Sequence, residues 1–162
     1  MKYFPLAIRL KSRPVLVVGG GVVAQRKIEN FLKAGARITV VSPQLTPVLL
    51  RQAQLGRIRW KEGRVQKNDL IGRLLIVSAT ADSLVNRKVS GWARELGILV
   101  NVVDQSPLSD FISSAIIRQD KVLVSVYTDG RDPSLSRDLK NFLKEQWDAF
   151  VLYRHRLSKR AA

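Results

Sequence analysis

The sequence has no cysteine, which excludes a disulfide framework, a thiol nucleophile and a cysteine-based zinc site, and leaves any redox chemistry to a bound cofactor. Histidine occurs once, as His155 in a basic stretch near the end, so no histidine cluster can form a metal site and no resident metal is expected. Nor is there a run of about eighteen apolar residues of the kind that spans a bilayer. The opening MKYFPLAIRLKSR lacks a continuous apolar core ending in a small-residue cleavage site, so a cytoplasmic chain with no membrane partner is expected. Acidic residues are scarce: 13 Asp and Glu stand against 28 Lys and Arg, a formal charge of +15. That balance favours acidic partners, whether nucleic acid, an anionic surface or a polyanionic small molecule. The positive residues are scattered (Arg9, Lys11, Arg13, Arg26, Lys27, Lys33, Arg37, Arg51), apart from YRHRLSKRAA at the end. A nucleic-acid arm concentrates its charge in one block, so the pattern suits a basic globule and no nucleic-acid partner is expected.

What the chain does have is apolar periodicity. At 162 residues and 46% hydrophobic it can bury a core of one domain, with room for a small appendage. Alternation at Leu6, Ile8 and Leu10 predicts a short edge strand, and Val15 to Val18 a buried one. Ala24, Ile28, Phe31 and Leu32 lie on one helical face that Gly35 ends. Ile38 to Val41 is the next strand, Leu45 to Leu55 a helix, and Ile58 to Trp60 a short strand. Leu74 to Ser78 follows, then a helix through Leu84, Val85, Val89, Trp92 and Leu96 that Asp82 caps, then Leu99 to Val103. Apolar strands alternating with helices predict a Rossmann-type α/β fold, a parallel sheet covered on both faces. Beyond Asp104 the pattern changes to a hairpin, Ala115 to Ile117 and Val122 to Tyr127 around an Arg118-Gln119-Asp120 turn. A helix with Asp132 as N-cap follows, its apolar face made by Leu135, Leu139, Phe142, Leu143, Trp147 and Phe150. A hairpin and one helix are too small to stand alone, so this face is expected to pack on a second subunit, or else on the chain's own Rossmann half. The expected division is a nucleotide-binding domain over 1–113, a dimerisation segment over 114–150 and a basic C-terminal tail over 151–162.

The strand VLVV runs straight into GGGVVAQRK. Gly19, Gly21 and Ala24 match the dinucleotide fingerprint G-x-G-x-x-[GA], in which the first glycine permits the tight turn, the second lets the backbone approach a pyrophosphate, and the third position allows close helix–strand contact. The strand before it and the helix after it are the context that fingerprint requires. Missing is the acid that an NAD site usually offers to the ribose about twenty residues on. The second strand ends instead in Val41-Ser42-Pro43-Gln44, where Ser42 or backbone near Pro43 could bond the ribose. A 2′-phosphate would call for an arginine, and the turn has none, although Arg37 and Arg51 are near in sequence; NAD is therefore favoured over NADP.

With these pieces placed, the sequence resembles the precorrin-2 dehydrogenase family, the NAD-dependent module of siroheme synthases. The resemblance runs from Tyr3-Phe4-Pro5 to about Leu143, through AGARITVVSP, GRIRW, SATADSLVN, GILVNVVD, SDFISSAII and TDGRDPSLSRDLK in that order. It implies oxidation of precorrin-2 to sirohydrochlorin with NAD⁺ as hydride acceptor, by a homodimer. It further implies cofactor contacts at Gly19, Gly20, Gly21, Val22 and Val23, at Ser42, Pro43 and Gln44, and at Ala79 and Thr80, with Asp104 as the catalytic aspartate. Some members also insert iron into the product, and others do not. The chain departs from the family pattern at Ala81, Ser114, Asp129, Arg131 and Asp132.

The residues allow the same chemistry. Removing a hydride from a tetrapyrrole leaves a cation that must also lose a proton, and Asp104, where the fifth strand ends, could accept it. The structural alternative is that Asp104 caps the Ser106-Pro107 turn; Asp110 and Asn86 suit structural roles. Precorrin-2 carries several carboxylates, for which Arg118, Lys121, Arg131 and Arg137 are candidate contacts, with Thr128 at a helix start as a further one. A solvated basic surface explains the same charge. The rival function is a non-catalytic Rossmann module that senses NAD(H).

Overall fold

The computed structural model describes residues 2–103, 105–119 and 121–160, with side chains as far as Leu157. These residues form two compact units, one of Pro5–Ile112 and the other of the chain from Ser113 onward with the N-terminal residues up to Phe4.

In the first unit the strands are β1 (Pro14–Val18), β2 (Arg37–Ser42), β3 (Arg59–Glu62), β4 (Leu75–Ser78) and β5 (Leu99–Val102). All pair in parallel, in the order β3-β2-β1-β4-β5. The helices are α1 (Val22–Lys33), α2 (Pro47–Gln54) and α3 (Ser83–Glu95), so strand and helix alternate as the periodicity predicts. Successive strand residues point to opposite faces. Accordingly Val15, Val17, Ile38, Val40, Leu75 and Val77 pack with Ala24 and Ile28 of α1. Leu16, Val18, Val41, Ile76, Val100 and Val102 pack with Val89 and Ala93 of α3 on the other side. A strand buried on both faces has no polar alternation, which is why these strands read as unbroken apolar runs.

The register levels the strand ends. Val18 stands opposite Val41 and Ser78, Ser78 opposite Val102, and Ser42 opposite Glu62. The loops after β1, β2, β3 and β4 therefore open at one edge of the sheet. Chain order reverses between β1 and β4, the switch point at which such sheets bind ligands.

The expected edge strand at Leu6 to Leu10 does not form: residues 2–10 carry no regular structure. Leu6 and Ile8 are exposed, while Leu10 packs on the α1-side core and a turn closes from Leu10 O to the Arg13 N–H. The segment leads into β1, whose two sides are already paired with β2 and β4, so the alternation finds no free edge beside it.

The second unit holds the hairpin β6 (Ala115–Gln119) and β7 (Val122–Val126), antiparallel, with Gln119 opposite Val122. Arg118 and Gln119 thus belong to a strand rather than to the turn, and Asp120 lies outside the described residues. Two helices follow instead of one helix and a tail: α4 (Pro133–Glu145) and α5 (Trp147–Arg160), parted at Gln146. The basic last residues continue as a helix because Arg and Lys are themselves good helix formers.

Candidate functional site

The glycine turn is held from two sides. Gly19 has φ +114°, its N–H donates to Val41 O across to β2, and a Cβ there would lie 2.5 Å from Ala79 O beyond β4. Gly20 is packed more tightly still: its Cβ would meet Gln44 O at 2.0 Å and Ser42 Oγ at 2.9 Å. The fingerprint allows any residue at this middle position, so the need for glycine here comes from the loop after β2. That loop braces the turn through the Thr46 N–H to Gly20 O at 2.9 Å and Thr46 Oγ1 to Gln25 Oε1 at 2.8 Å.

Gly21 differs from both. It is the N-cap of α1 with φ −81°, a conformation any residue adopts, and a Cβ there would touch nothing within 4 Å. Neither a side-chain cap nor an acid serves the first turn of α1, whereas Thr46, Asp82 and Asp132 accept the first-turn N–H groups of α2, α3 and α4. The leading amides of α1 are left for another acceptor, and an anion is the one that the helix dipole favours.

In front of these amides lies a cleft of about 890 Å³, within the range of roughly 300–1,000 Å³ usual for small-molecule sites. Of the expected cofactor contacts, Gly19, Gly20, Gly21, Val22, Val23, Ser42, Pro43, Ala79 and Thr80 line it. Gln44 does not; its carbonyl instead accepts from Ser42 Oγ at 2.7 Å and faces Gly20. The Ser42 hydroxyl proton is therefore directed into its own loop, and what Ser42 offers the cleft is an oxygen lone pair. The cleft extends past the turn into a groove of Val65, Val85 and Trp92, flanked by Arg64 and Lys88. These five were missed in the sequence because they come from the loop after β3 and from α3, and no spacing rule links them to the glycines.

Asn86 has a structural role. Buried on α3, it accepts from Ser78 Oγ at 2.7 Å and Thr80 Oγ1 at 2.9 Å, and its amide donates to Thr80 O at 3.0 Å. It thereby fixes the Ala79–Thr80 segment against Gly19. Asp82 caps α3 through the Leu84 and Val85 N–H groups, and Asp110 accepts from the Val100 N–H and from Arg94. Asp104 lies outside the described residues.

The expected substrate contacts all fall in the second unit. Arg118 is exposed on β6, Arg131 lies 3.8 Å from Asp129, and Arg137 bonds its neighbour Asp138 at 3.1 Å. Thr128 is engaged locally: Oγ1 donates to Asp132 O at 2.6 Å, accepts from the Asp132 N–H and meets Ser136 Oγ at 2.8 Å. Its hydroxyl thus serves the turn into α4, whose N-terminus already carries the Asp132 carboxylate. The departures from the family pattern at Asp129 and Asp132 are accounted for by bonding. Asp129, at φ 57°, accepts the Lys2 and Tyr3 N–H groups, and Asp132 accepts from Leu135 N–H and Ser134. The Lys2 N–H bond, chiefly, holds the Asp129 carboxyl below the ordinary carboxylate range, and the Leu135 N–H bond does the same for Asp132. Among the described residues no group of three or more His, Asp or Glu side chains could hold a metal ion, and no helix is long and apolar enough to cross a membrane.

A βαβ sheet whose switch point carries an uncapped glycine turn over a cleft defines a Rossmann-type nucleotide-binding protein. Comparison with known proteins agrees: residues 6–115 match the family model described as "Putative NAD(P)-binding". Siroheme synthase 1 of Aeromonas salmonicida is 42% identical over 144 residues, 89% of this chain and 31% of that protein. The siroheme synthase of Methylobacillus flagellatus is 43% identical over 140 residues, 86% of this chain and 30% of that protein. The chain therefore spans about a third of the length of the curated relatives it matches. Among solved structures, "SirC, precorrin-2 dehydrogenase" superposes with a TM-score of 0.78 and 30% identity, over 97% of this chain and 78% of that one. The chain belongs to this NAD(P)-binding family, on its precorrin-2 dehydrogenase branch.

Proposed function

We propose that the chain oxidises precorrin-2 to sirohydrochlorin with NAD as cofactor, on the route to siroheme. The observation that carries this reading is the likeness to a precorrin-2 dehydrogenase over nearly the whole chain, second unit included. The cleft supports the cofactor: the amides opening α1 suit a pyrophosphate, Gly21 leaves room for its approach, and Val65, Val85 and Trp92 offer an apolar bed for a base. Bound NAD⁺ supplies a hydride acceptor. The chain's own contribution is to hold that acceptor at the sheet edge and to provide a proton acceptor, which we assign to Asp104 because it comes two residues after β5 in the sequence and matches the aspartate the family resemblance implies. Arg118, Arg131 and Arg137 are assigned to the substrate's carboxylates; Thr128, whose hydroxyl is committed to its turn, is left out of that set.

The reading takes Pro5–Ile112, rather than the expected 1–113, as the NAD-binding part and the other unit as a dimerisation and substrate part, in a cytoplasmic homodimer without nucleic-acid or membrane partners. Supporting the dimer, α4 exposes Leu135, Leu139 and Phe142. The test is to mix the protein with precorrin-2 and NAD⁺ and follow NADH and sirohydrochlorin spectrally. Wild type should form both, and Asp104→Asn should lose roughly 10²–10⁴ of turnover, the usual worth of a positioned acid or base. Binding of NAD⁺ without NADH formation would favour the sensing module instead.

A further inference from the structure

We infer that Ser109 is a positioning residue for Asp104, its buried hydroxyl clamping both ends of the turn in which that aspartate falls. The inference rests on the assignment of Asp104 as proton acceptor and goes beyond it, to the group that sets how the carboxylate is presented. The Gln105 N–H donates to Val102 O at 3.2 Å, closing a turn over residues 102–105 in which Val103 and Asp104 are the two central positions. Asp104 lies outside the described residues, but the residue before it does not. Val103 lines the cleft, and its N–H donates to Ser78 O at 2.9 Å, at the end of β4. The turn therefore opens on the cleft that the dinucleotide is proposed to fill.

Ser109 reaches both ends of this turn. Its Oγ accepts from the Val102 N–H at 2.8 Å, and its one proton is shared between Val102 O and Gln105 O, each at 3.1 Å. A hydroxyl can do this because it carries donor and acceptor on one atom, and the side chain is buried, so little water competes for the bonds. A single 3₁₀ turn, Ser106–Leu108, brings Ser109 back to β5, and α3 holds that turn through Ser90 Oγ to Leu108 O at 2.7 Å and Arg94 to Pro107 O at 3.2 Å. Covering the outer side of β5, an edge strand, is a role that Ser109 shares with Asp110. The Asp110 N–H donates to Val100 O at 2.7 Å and its Oδ2 accepts from the Val100 N–H at 3.1 Å, two residues before Val102. Asp110 thus covers the same edge without bonding, among the described residues, to the turn at 102–105. What sets Ser109 apart is the turn itself.

The experiment measures single-turnover oxidation of precorrin-2 by NAD⁺, NAD⁺ affinity and melting temperature for wild type, Asp104→Asn, Ser109→Ala, the two combined, and the control Asp110→Ala. Ser109→Ala should slow the step about 10- to 100-fold, the cost of misplacing a catalytic group by about an ångström, with NAD⁺ affinity within threefold of wild type. In the Asp104→Asn background it should slow the step by less than threefold more, because a clamp that acts through the carboxylate then has nothing left to position. Asp110→Ala should lower the melting temperature and keep the rate within threefold. If Ser109→Ala does not fold, Ser109→Cys takes its place, and its longer, more weakly bonding thiol should slow the step more than threefold with the same lack of additivity. A rate within threefold of wild type in the Ser109 variant, a loss that Asp110→Ala matches, NAD⁺ binding weakened beyond threefold, or a further loss of threefold or more on top of Asp104→Asn overturns the inference and leaves Asp104 standing. If Asp104→Asn slows the step less than tenfold, or wild type forms no NADH, the assignment of Asp104 falls and the inference with it.

Discussion

The two units handle their apolar residues in opposite ways. In Pro5–Ile112 the sheet is covered on both faces, and Leu16, Ile28, Leu49, Leu70 and Ile76 are wholly buried. Among the described residues from Ser113 onward, Ile117 and Val126 are the buried apolar ones, while Leu123, Leu135, Leu139, Phe142, Phe150, Leu152 and Tyr153 stay exposed. The first unit has layers enough to complete its own core; a two-stranded ribbon under helices does not. The difference shows that one part of the chain is organised around a cleft and the other around a surface.

The comparison breaks most sharply at Gly20. In Gly20→Ala the new methyl meets the Gln44 carbonyl at 2.0 Å, and backbone cannot yield as a side-chain tip can, so the first unit should lose several kcal/mol, about 4 or more. Gly21→Ala, one residue on, should leave the melting temperature within a degree or two of wild type and instead weaken dinucleotide binding, because its methyl projects into open space at the cleft. Thermal melts with and without NAD⁺ separate the two; equal loss of stability in both variants would refute the division between bracing and binding glycines.

A smaller effect is expected from the surface of the second unit. Phe142→Asp places a charge on the exposed apolar face of α4 and should turn the proposed dimer into a monomer in light scattering, with NAD⁺ affinity unchanged. A wild type already monomeric at micromolar concentration would remove the assigned role of that face.

The smallest effect concerns acid. Asp129 and Asp132 have carboxyls lowered below the ordinary value by backbone N–H bonds. A lowered folded-state value means that their stabilisation is present above the unfolded value of about 4 and is lost as pH falls through the folded one. Below about pH 4 the tie from Lys2 and Tyr3 to Asp129 should loosen, seen as faster amide exchange at those two residues, and Asp129→Asn should flatten that dependence. Exchange that is flat with pH in wild type would count against it.

Much of the nucleotide unit was legible because its signals are local. The runs of β1, β2, β4 and β5, the Asp82 and Asp132 caps and the glycine fingerprint each depend on residues a few positions apart, and these stand within a residue or two of where the sequence puts them. Two departures from the expected picture share a cause. Leu6 to Leu10 alternates like a strand yet forms none, and Gln44, expected beside the cofactor, does not line the cleft and turns its carbonyl to Gly20. In both cases the outcome depends on a neighbour distant in sequence.

The sequence by itself determined the alternation of strand and helix, the glycine turn and its lack of an acid partner, since hydrophobic period and glycine's freedom at positive φ act within a few residues. The tertiary structure decided which charges stand at the cleft. Arg37 and Arg51, near Ser42 in sequence, do not line it, while Arg64 and Lys88 do. The physical reason is the parallel sheet: its register brings the loops after successive strands to one edge, and sends the start of β2 to the other.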